Sequence, residues 1–298
     1  MGYLLTLFSI PLFVLGSEMI YRGAKRLTGA GVVIGILSIL PESIVLLQAY
    51  RETQYYIAFA SALTSAVVLY TLGLGFIGMA YFMRWGKKIV DLSNSGEDLK
   101  FVGIGVAVMT ALLLYGRIDL GFGLALIALY CLYMFRKFPT YRHIVTSRNR
   151  SGLLYVIAGS SLMWFTSPSI LQEIETLSAA ARVPTPLVAL LLFPIASNVQ
   201  DLLVGLRMSV GDLKSASQAV SSFMVQNITM VTVLLGAFGL MSGMVGVGLQ
   251  EMRMLLLISA LVNLMVFSLA SNGDITVKES LAFLLLYLFV PMSFILKI

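Results

Sequence analysis

Long apolar segments with almost no charge recur along the whole sequence. A membrane-spanning helix needs roughly 20 apolar residues, and ten segments approach or exceed that length. They cover residues 3–21, 30–50, 55–82, 101–116, 119–135, 152–172, 186–206, 216–243, 252–270 and 280–296. These are continuous runs, unlike the alternating segments of about ten residues that build a membrane β-barrel. The sequence therefore predicts an all-α polytopic membrane protein with about ten transmembrane helices.

The composition excludes the ordinary soluble classes. Charged residues make up 11% of the chain and hydrophobic residues 59%, whereas about a quarter of a soluble domain is charged. A disordered chain needs the opposite balance of low hydrophobicity and high charge. The net charge of +6 lies mainly in the connecting loops, where it is a signal of membrane topology. The expected surroundings are therefore the lipid bilayer, and no nucleic acid is expected as a partner.

The basic residues of the loops predict the orientation of the chain, because cytoplasmic loops carry an excess of Lys and Arg. With the N-terminus outside, the inside loops carry fifteen basic residues, namely Arg22, Lys25, Arg26, Arg84, Lys87, Lys88, Lys100, Arg136, Lys137, Arg142, Arg148, Arg150, Arg207, Lys214 and Lys278. The outside set has five, namely Arg51, Arg117, Arg182, Arg253 and Lys297. Both termini are then expected outside. The short loops and the lack of a targeting segment favour a prokaryotic inner membrane.

Two stretches of the chain resemble each other. Residues 31–50 with 58–75 match residues 186–208 with 219–239, so that Glu42 aligns with Asp201 and Thr64 with Asn227, at offsets of 159 and 163. A unit of five helices used twice must enter the membrane from opposite sides, which makes an inverted repeat with its substrate site near the midplane. The predicted organisation is a first five-helix repeat (1–135), a basic cytoplasmic linker (136–151) and a second repeat (152–298).

Two acidic residues lie deep within predicted spans. Glu42 and Asp201 are each at least five residues inside a span, where a charged side chain costs on the order of 3 kcal/mol. Equivalent positions in an inverted repeat converge on its two-fold axis, so we expect these carboxylates to lie close together. They have no intramembrane Lys or Arg to neutralise them, and they therefore need cations or protons. Glu18 is also deep in a span, but it lies four residues before Arg22 and is free to pair with it.

Oxygen donors surround the two acids in the sequence. Pro41 has no N–H, so within a helix it frees the carbonyl about four residues earlier, near Leu37, while Pro194 is expected to break the second helix. Thr64, Ser65, Gln226 and Asn227 lie on the following spans, where their oxygens are placed to close the site. Such oxygens suit a hard metal ion. The predicted metal-binding set is Glu42, Asp201, Ser38, Ser197, Asn198, Thr64, Asn227 and the carbonyl of Leu37.

These segments resemble the calcium/cation antiporter superfamily, which includes the sodium/calcium exchangers. Its members carry a motif similar to GTSLPE in the second helix of each of two inverted five-helix repeats. Residues 37–42 read Leu-Ser-Ile-Leu-Pro-Glu and residues 196–201 read Ala-Ser-Asn-Val-Gln-Asp. The resemblance implies Ca²⁺ binding by the two acids. The chain departs from the motif at Ile39, which replaces an oxygen donor, and at Asp201, which is shorter than Glu.

We therefore expect a secondary active antiporter that exchanges a divalent cation, with Ca²⁺ as the first choice, for Na⁺ or H⁺ by alternating access. The alternatives are transport of Mg²⁺, Mn²⁺ or a monovalent cation by the same fold, and a non-transporting membrane scaffold. No cofactor is expected, and the oligomeric state stays open. An enzyme is disfavoured, because a chain with one His has no His-Glu-x-x-His zinc motif and no Gly-x-Ser-x-Gly element appears. The Gly-x-Gly-x-x-Gly string at residues 73–78 lies inside an apolar span, where glycines serve helix packing.

Overall fold

The computed structural model describes residues 2–27, 37, 39–87, 89–92, 96–141, 150–182, 185–211 and 213–295. Within these ranges the chain is almost entirely helical. The first half contains α1 (Gly2–Leu27), α2 (Leu40–Arg51), α3 (Tyr55–Trp85), β1 (Ile89–Asp91), α4 (Gly96–Tyr115), β2 (Arg117–Ile118) and α5 (Leu120–Tyr141). The second half contains α6 (Arg150–Ala181), α7 (Thr185–Gly211), α8 (213–242), β3 (Val247–Gly248), α9 (Arg253–Ala270), β4 (Asp274–Thr276) and α10 (Val277–Ile295).

Six helices among the described residues are long and apolar enough to cross a membrane. They are Tyr55–Trp85, Gly96–Tyr115, Leu120–Lys137, Ser151–Ala180, Ser215–Ser242 and Arg253–Ala270. The prediction of a helical, multi-pass membrane protein is thereby confirmed. The predicted second span, 30–50, lies partly on residues 28–36 and 38, which are outside the described residues, and its described helix begins only at Leu40.

The long helices α3 and α8 each contain one π-helical turn. In α3 it covers Leu69–Gly73, and in α8 it covers Met230–Leu234. Each turn contains a threonine whose hydroxyl donates to the carbonyl four residues earlier: Thr71 to Val67, and Thr232 to Ile228, both at 2.6 Å. Such turns occur often at functional sites. The same turn with the same threonine bond therefore recurs 161 residues along the chain.

Beyond the π-turns, α3 and α8 pack closely on α10 and α5. A Cβ added at Gly75 would lie 2.5 Å from a side-chain carbon of Leu284 on α10, and one added at Gly239 would lie 2.7 Å from the Cα of Gly123 on α5. Gly78 and Gly236 make comparable contacts with the same two helices. These glycines allow close helix approach, so the interpretation of the Gly-x-Gly-x-x-Gly string as a packing element is supported by the structure.

Two pairs of short antiparallel strands connect the halves. The strand after α3 pairs with the strand before α10, joining β1 to β4, while β2 pairs with β3, the strand after α8. Exchanging the two halves converts one pair into the other. The same exchange converts α4 into α9, and these two helices pack on each other.

Helices α1 and α6 form a closely packed antiparallel pair. A Cβ at Gly159 would lie 2.5 Å from the carbonyl oxygen of Gly16, and a Cβ at Gly23 would lie 2.6 Å from that of Gly152. Because the opposing atoms are backbone, even one methyl group cannot be accommodated unless the helices separate. The pair packs against α2 and α7, the helices that carry the two predicted intramembrane acids.

Candidate functional site

Glu42 lies in the first turn of α2. The helix begins at Leu40, and Pro41 occupies its first turn, where an amide N–H would have no helical partner and its loss is harmless. Proline at this position thus starts a helix inside a predicted span. The Glu42 side chain that follows is fully buried, with 0% exposure.

The carboxylate of Glu42 faces two serine hydroxyls from other helices. Ser65 of α3 and Ser197 of α7 are both buried, and their Oγ atoms are 3.4 Å apart. Both hydroxyls lie near the Glu42 carboxylate, but neither Oε1 nor Oε2 of Glu42 has a partner in hydrogen-bond geometry among the described residues. A buried carboxyl group, bordered by two serine hydroxyls, therefore stands at the meeting point of three helices.

Asp201 approaches this group from α7. Its charge lies close enough to interact with that of Glu42, and its side chain is half-buried. The Nε2 atom of Gln226, on α8, donates to Asp201 Oδ2 at 2.8 Å. The two predicted acids are thus neighbours, and each is bordered by a polar side chain from one of the two helices that contain a π-turn.

Two more of the predicted ligands fall into this group. Ser197 faces Glu42, and Asn198 is buried beside it, donating from Nδ2 to Ser197 Oγ at 3.1 Å. Leu37 is partly buried against the apolar core. Ser38 lies outside the described residues.

Two other predicted ligands make their hydrogen bonds elsewhere. Thr64 donates to the carbonyl of Ala60 in its own helix at 2.7 Å, and Asn227 donates to the carbonyl of Ala66 at 3.0 Å. Asn227 thus joins α8 to α3, and neither residue has a recorded hydrogen bond to Glu42 or Asp201. Their assignment as ligands stays a prediction.

The structure brings Ser65 and Gln226 to the acids instead. These residues are 161 apart, the same offset as the π-turns, whereas the sequence comparison paired Thr64 with Asn227. Two apolar helical segments can be aligned in several registers with similar agreement, so the sequence pairing and the π-turns give different offsets, and the pairing of Thr64 with Asn227 stays a prediction. The sequence signal for Ser65 and Gln226 was that each lies next to a predicted ligand. In the structure, the π-turns and their threonine hydrogen bonds fix how α3 aligns with α8.

The second motif also differs from expectation in its backbone. Helix α7 runs without interruption from Thr185 to Gly211, through position 194. The prediction that Pro194 breaks this helix is wrong, since a long helix tolerates a proline where neighbouring helices satisfy the freed carbonyl. Glu42 thus lies two residues after the start of its helix, whereas Asp201 lies in the interior of a long one.

Two further acids near the spans have polar partners of their own. Glu18 forms an ion pair with Arg22 one turn away, and the carboxylate of Glu175 accepts a hydrogen bond from Gln54. Glu18 is therefore neutralised locally, as its spacing allowed.

Carboxylate and hydroxyl oxygens of this kind are the ligands that hard cations such as Ca²⁺ take in proteins. Glu42, Asp201, Ser65 and Ser197 supply four side chains of that chemistry from three helices. The arrangement can bind one divalent cation, or about two monovalent cations or protons, because it offers two negative charges.

Comparison with known proteins agrees with this chemistry. The sequence model of the sodium/calcium exchanger protein family matches residues 1–138 and 151–296. No curated protein matches the chain.

Solved structures share the fold. The crystal structure of the H⁺/Ca²⁺ exchanger CAX superposes with a TM-score of 0.85 at 16% identity, covering 97% of this chain and 81% of that one. The sodium-calcium exchanger NCX_Mj gives 0.63 at 19% identity, covering 98% and 95%, and native YfkE gives 0.74 at 11% identity, covering 99% and 100%. The family match extends over nearly the whole chain, and the chain therefore belongs to the sodium/calcium exchanger protein family.

Proposed function

We propose that the protein is a secondary active antiporter that exchanges a divalent cation, with Ca²⁺ as the expected ion, for Na⁺ or H⁺ by alternating access. The observation that carries this proposal is the Glu42 carboxylate, which is fully buried and has no hydrogen-bond partner among the described residues. An unpaired buried carboxylate is strongly unfavourable. A bound cation or proton removes that cost, so the residue is suited to carry one.

Coupling follows from the charge of the site. Glu42 and Asp201 together attract either one divalent ion or about two monovalent ones, and the two occupancies exclude each other because they use the same oxygens. A divalent ion leaves when Na⁺ or H⁺ takes its place. The similar structures support both counter-ions, since one is named as an H⁺/Ca²⁺ exchanger and another as a sodium-calcium exchanger.

We further propose that the chain forms two inverted repeats of five transmembrane helices. The π-turns, their threonine bonds and the glycines at 75 and 78 recur at an offset of 161 residues, at 236 and 239. When the halves are exchanged, the two strand pairs change places and the α4–α9 pair maps onto itself. An odd number of spans in each repeat reverses the second repeat in the membrane, which brings the two acids together at the axis.

The excess of basic residues in alternate loops supports placing both termini outside and residues 136–151 in the cytoplasm of a prokaryotic cell. The closely packed α1–α6 pair suits a unit that slides as one body against the rest, because backbone contacts at Gly16 and Gly159 keep the two helices together.

Radiolabelled Ca²⁺ uptake into proteoliposomes tests the function. Vesicles are loaded with Na⁺ in one arm and with protons in the other, and Glu42→Gln serves as the blank. We expect uptake under one of these gradients and none in the variant. Uptake under neither gradient would contradict Ca²⁺ exchange.

The same vesicles then separate the alternatives. Competition of Mg²⁺, Mn²⁺ or monovalent cations with the remaining flux identifies another transported ion. A protein that moves none of these ions and gains no thermal stability from any of them is a scaffold, and the antiporter proposal fails.

A further inference from the structure

A second buried carboxylate lies away from the candidate site. Asp98, in the first turn of α4, is 1% exposed. Its Oδ1 atom forms an ion pair with Lys137 Nζ at 2.5 Å and accepts a hydrogen bond from Tyr133 at 2.9 Å, both from α5. Its Oδ2 atom accepts from the Ser221 hydroxyl of α8 at 2.9 Å. One carboxylate thus joins three helices.

The contact with α8 connects Asp98 to the candidate site. Ser221 lies five residues before Gln226, which corresponds to about 7.5 Å along the helix axis and about 140° around it. Ser221 donates to Asp98 on one face of α8, and Gln226 donates to Asp201 on another. Helix α8 is therefore held between two carboxylates that belong to different helices.

A buried ion pair stabilises this cluster of Asp98, Lys137, Tyr133 and Ser221. Lys137 is 14% exposed, so its ammonium group and the Asp98 carboxylate depend on each other for neutralisation, and a buried ion pair that loses one partner is strongly destabilised. Tyr70, in the π-turn of α3, lies near Asp98 with a buried hydroxyl that has no partner among the described residues. The cluster thus also reaches the region where α3 departs from regular α-helix.

We propose that Asp98 is a positioning residue for ion binding. Asp98 forms an ion pair with Lys137 of α5 and accepts a hydrogen bond from Ser221 of α8. These contacts fix the rotation of α8 and its position along its own axis, so that Gln226 reaches Asp201. This inference rests on the proposed function, because it assigns to Asp98 an effect on the cation affinity of that site. Asp98 itself does not contact the ion.

Transport kinetics test the proposal through the hydroxyl of Ser221. We expect Ser221→Ala to raise the KM for Ca²⁺ about tenfold with little change in maximal rate, and Asp98→Asn to raise it at least as much. Ser221→Thr keeps the hydroxyl and should stay within about twofold of the wild type. Glu97→Gln is the matched control, since Glu97 precedes Asp98 but pairs with Lys100 at an exposed position. Folded Ser221→Ala protein with an unchanged KM would overturn the inference.

A distance measurement gives a readout that does not depend on the transported ion. Cys131 is the one cysteine of the chain and is exposed on α5, so Leu213→Cys, at an exposed position at the start of α8, completes a spin-label pair. Loss of the hydrogen bond from Ser221 to Asp98 in the Ser221→Ala variant should shift or broaden the distribution of distances between the two labels. An unchanged distribution overturns the positioning role. Absence of any ion flux in the wild type refutes the proposed function and leaves this measurement valid.

Discussion

Replacing Glu42 by Gln removes one of the two negative charges of the site while keeping its size and one oxygen. Two unit charges 4 Å apart interact by about 4 kcal/mol at an effective dielectric constant of about 20, and a divalent ion doubles this to about 8 kcal/mol. Relief from burying the Glu42 charge offsets about half of that loss. The net cost of about 4 kcal/mol corresponds to a loss of about a thousandfold in Ca²⁺ affinity.

The same substitution should leave the ion-free protein as stable as before, or more stable. Glu42 is fully buried, with the hydroxyls of Ser65 and Ser197 beside it. Gln at this position removes the cost of burying a charge and keeps one oxygen that can accept from these hydroxyls.

Calorimetric titration with Ca²⁺ and thermal unfolding without it measure the two effects on one purified sample. Glu18→Gln is the control, because Glu18 is an acid within a helix that pairs with Arg22. Its Ca²⁺ affinity should stay within about twofold of the wild type. A Glu42→Gln variant that binds Ca²⁺ normally, or one that loses binding only because it unfolds, would contradict a role of this carboxylate in ion binding.

Three further changes probe the surroundings of the site. Gln226→Leu removes the donor to Asp201 and should weaken Ca²⁺ binding about tenfold in titrations, while normal binding would exclude a role for this hydrogen bond. Gly159→Ala forces a Cβ against the Gly16 carbonyl oxygen and should lower the melting temperature by several degrees without changing Ca²⁺ affinity; an unchanged melting temperature would contradict the close packing. The N–H of Phe122, the hydroxyl of Tyr115 and the charge of Arg117 lower the pKa of Asp119 below its ordinary 3.8. Asp119→Asn should therefore lower the melting temperature at neutral pH, and this difference from the wild type should vanish as the pH falls through the lowered pKa. A difference that does not depend on pH would contradict the stabilising role of the Asp119 charge.

The helical framework and the two acids were accessible from the sequence because both have strong physical signatures. Apolar runs of spanning length identify membrane helices, and a carboxylate in the middle of such a run is too costly to be incidental. In the structure the charge of Asp201 lies close enough to that of Glu42 to interact with it, although the two residues are far apart in the chain.

It was harder to predict from the sequence which polar residues lie beside the two acids. Thr64 and Ser65 are adjacent, but on a helix adjacent residues point about 100° apart, so one residue of register decides which hydroxyl faces Glu42. In the structure the hydroxyl of Ser65 borders Glu42, and the amide of Gln226 donates to Asp201. The π-turns that fix this register have no sequence signature as clear as a run of apolar residues.

Asp98 was passed over for a different reason. It follows Glu97 near the end of a span and reads as a solvated loop acid, because sequence position cannot show which distant residues cover it. Its burial depends on Lys137 and Ser221, residues contributed by two other helices. A charge near a helix end is informative only once its tertiary partners are known.

The most direct test of the account is to record Ca²⁺ uptake and counter-ion release at the same time in wild-type proteoliposomes. Because both ions are proposed to use the Glu42 and Asp201 oxygens in turn, each flux should require the other ion, and both should stop in Glu42→Gln. Ca²⁺ uptake that continues when neither Na⁺ nor H⁺ leaves the vesicle would contradict exchange at a shared pair of carboxylates.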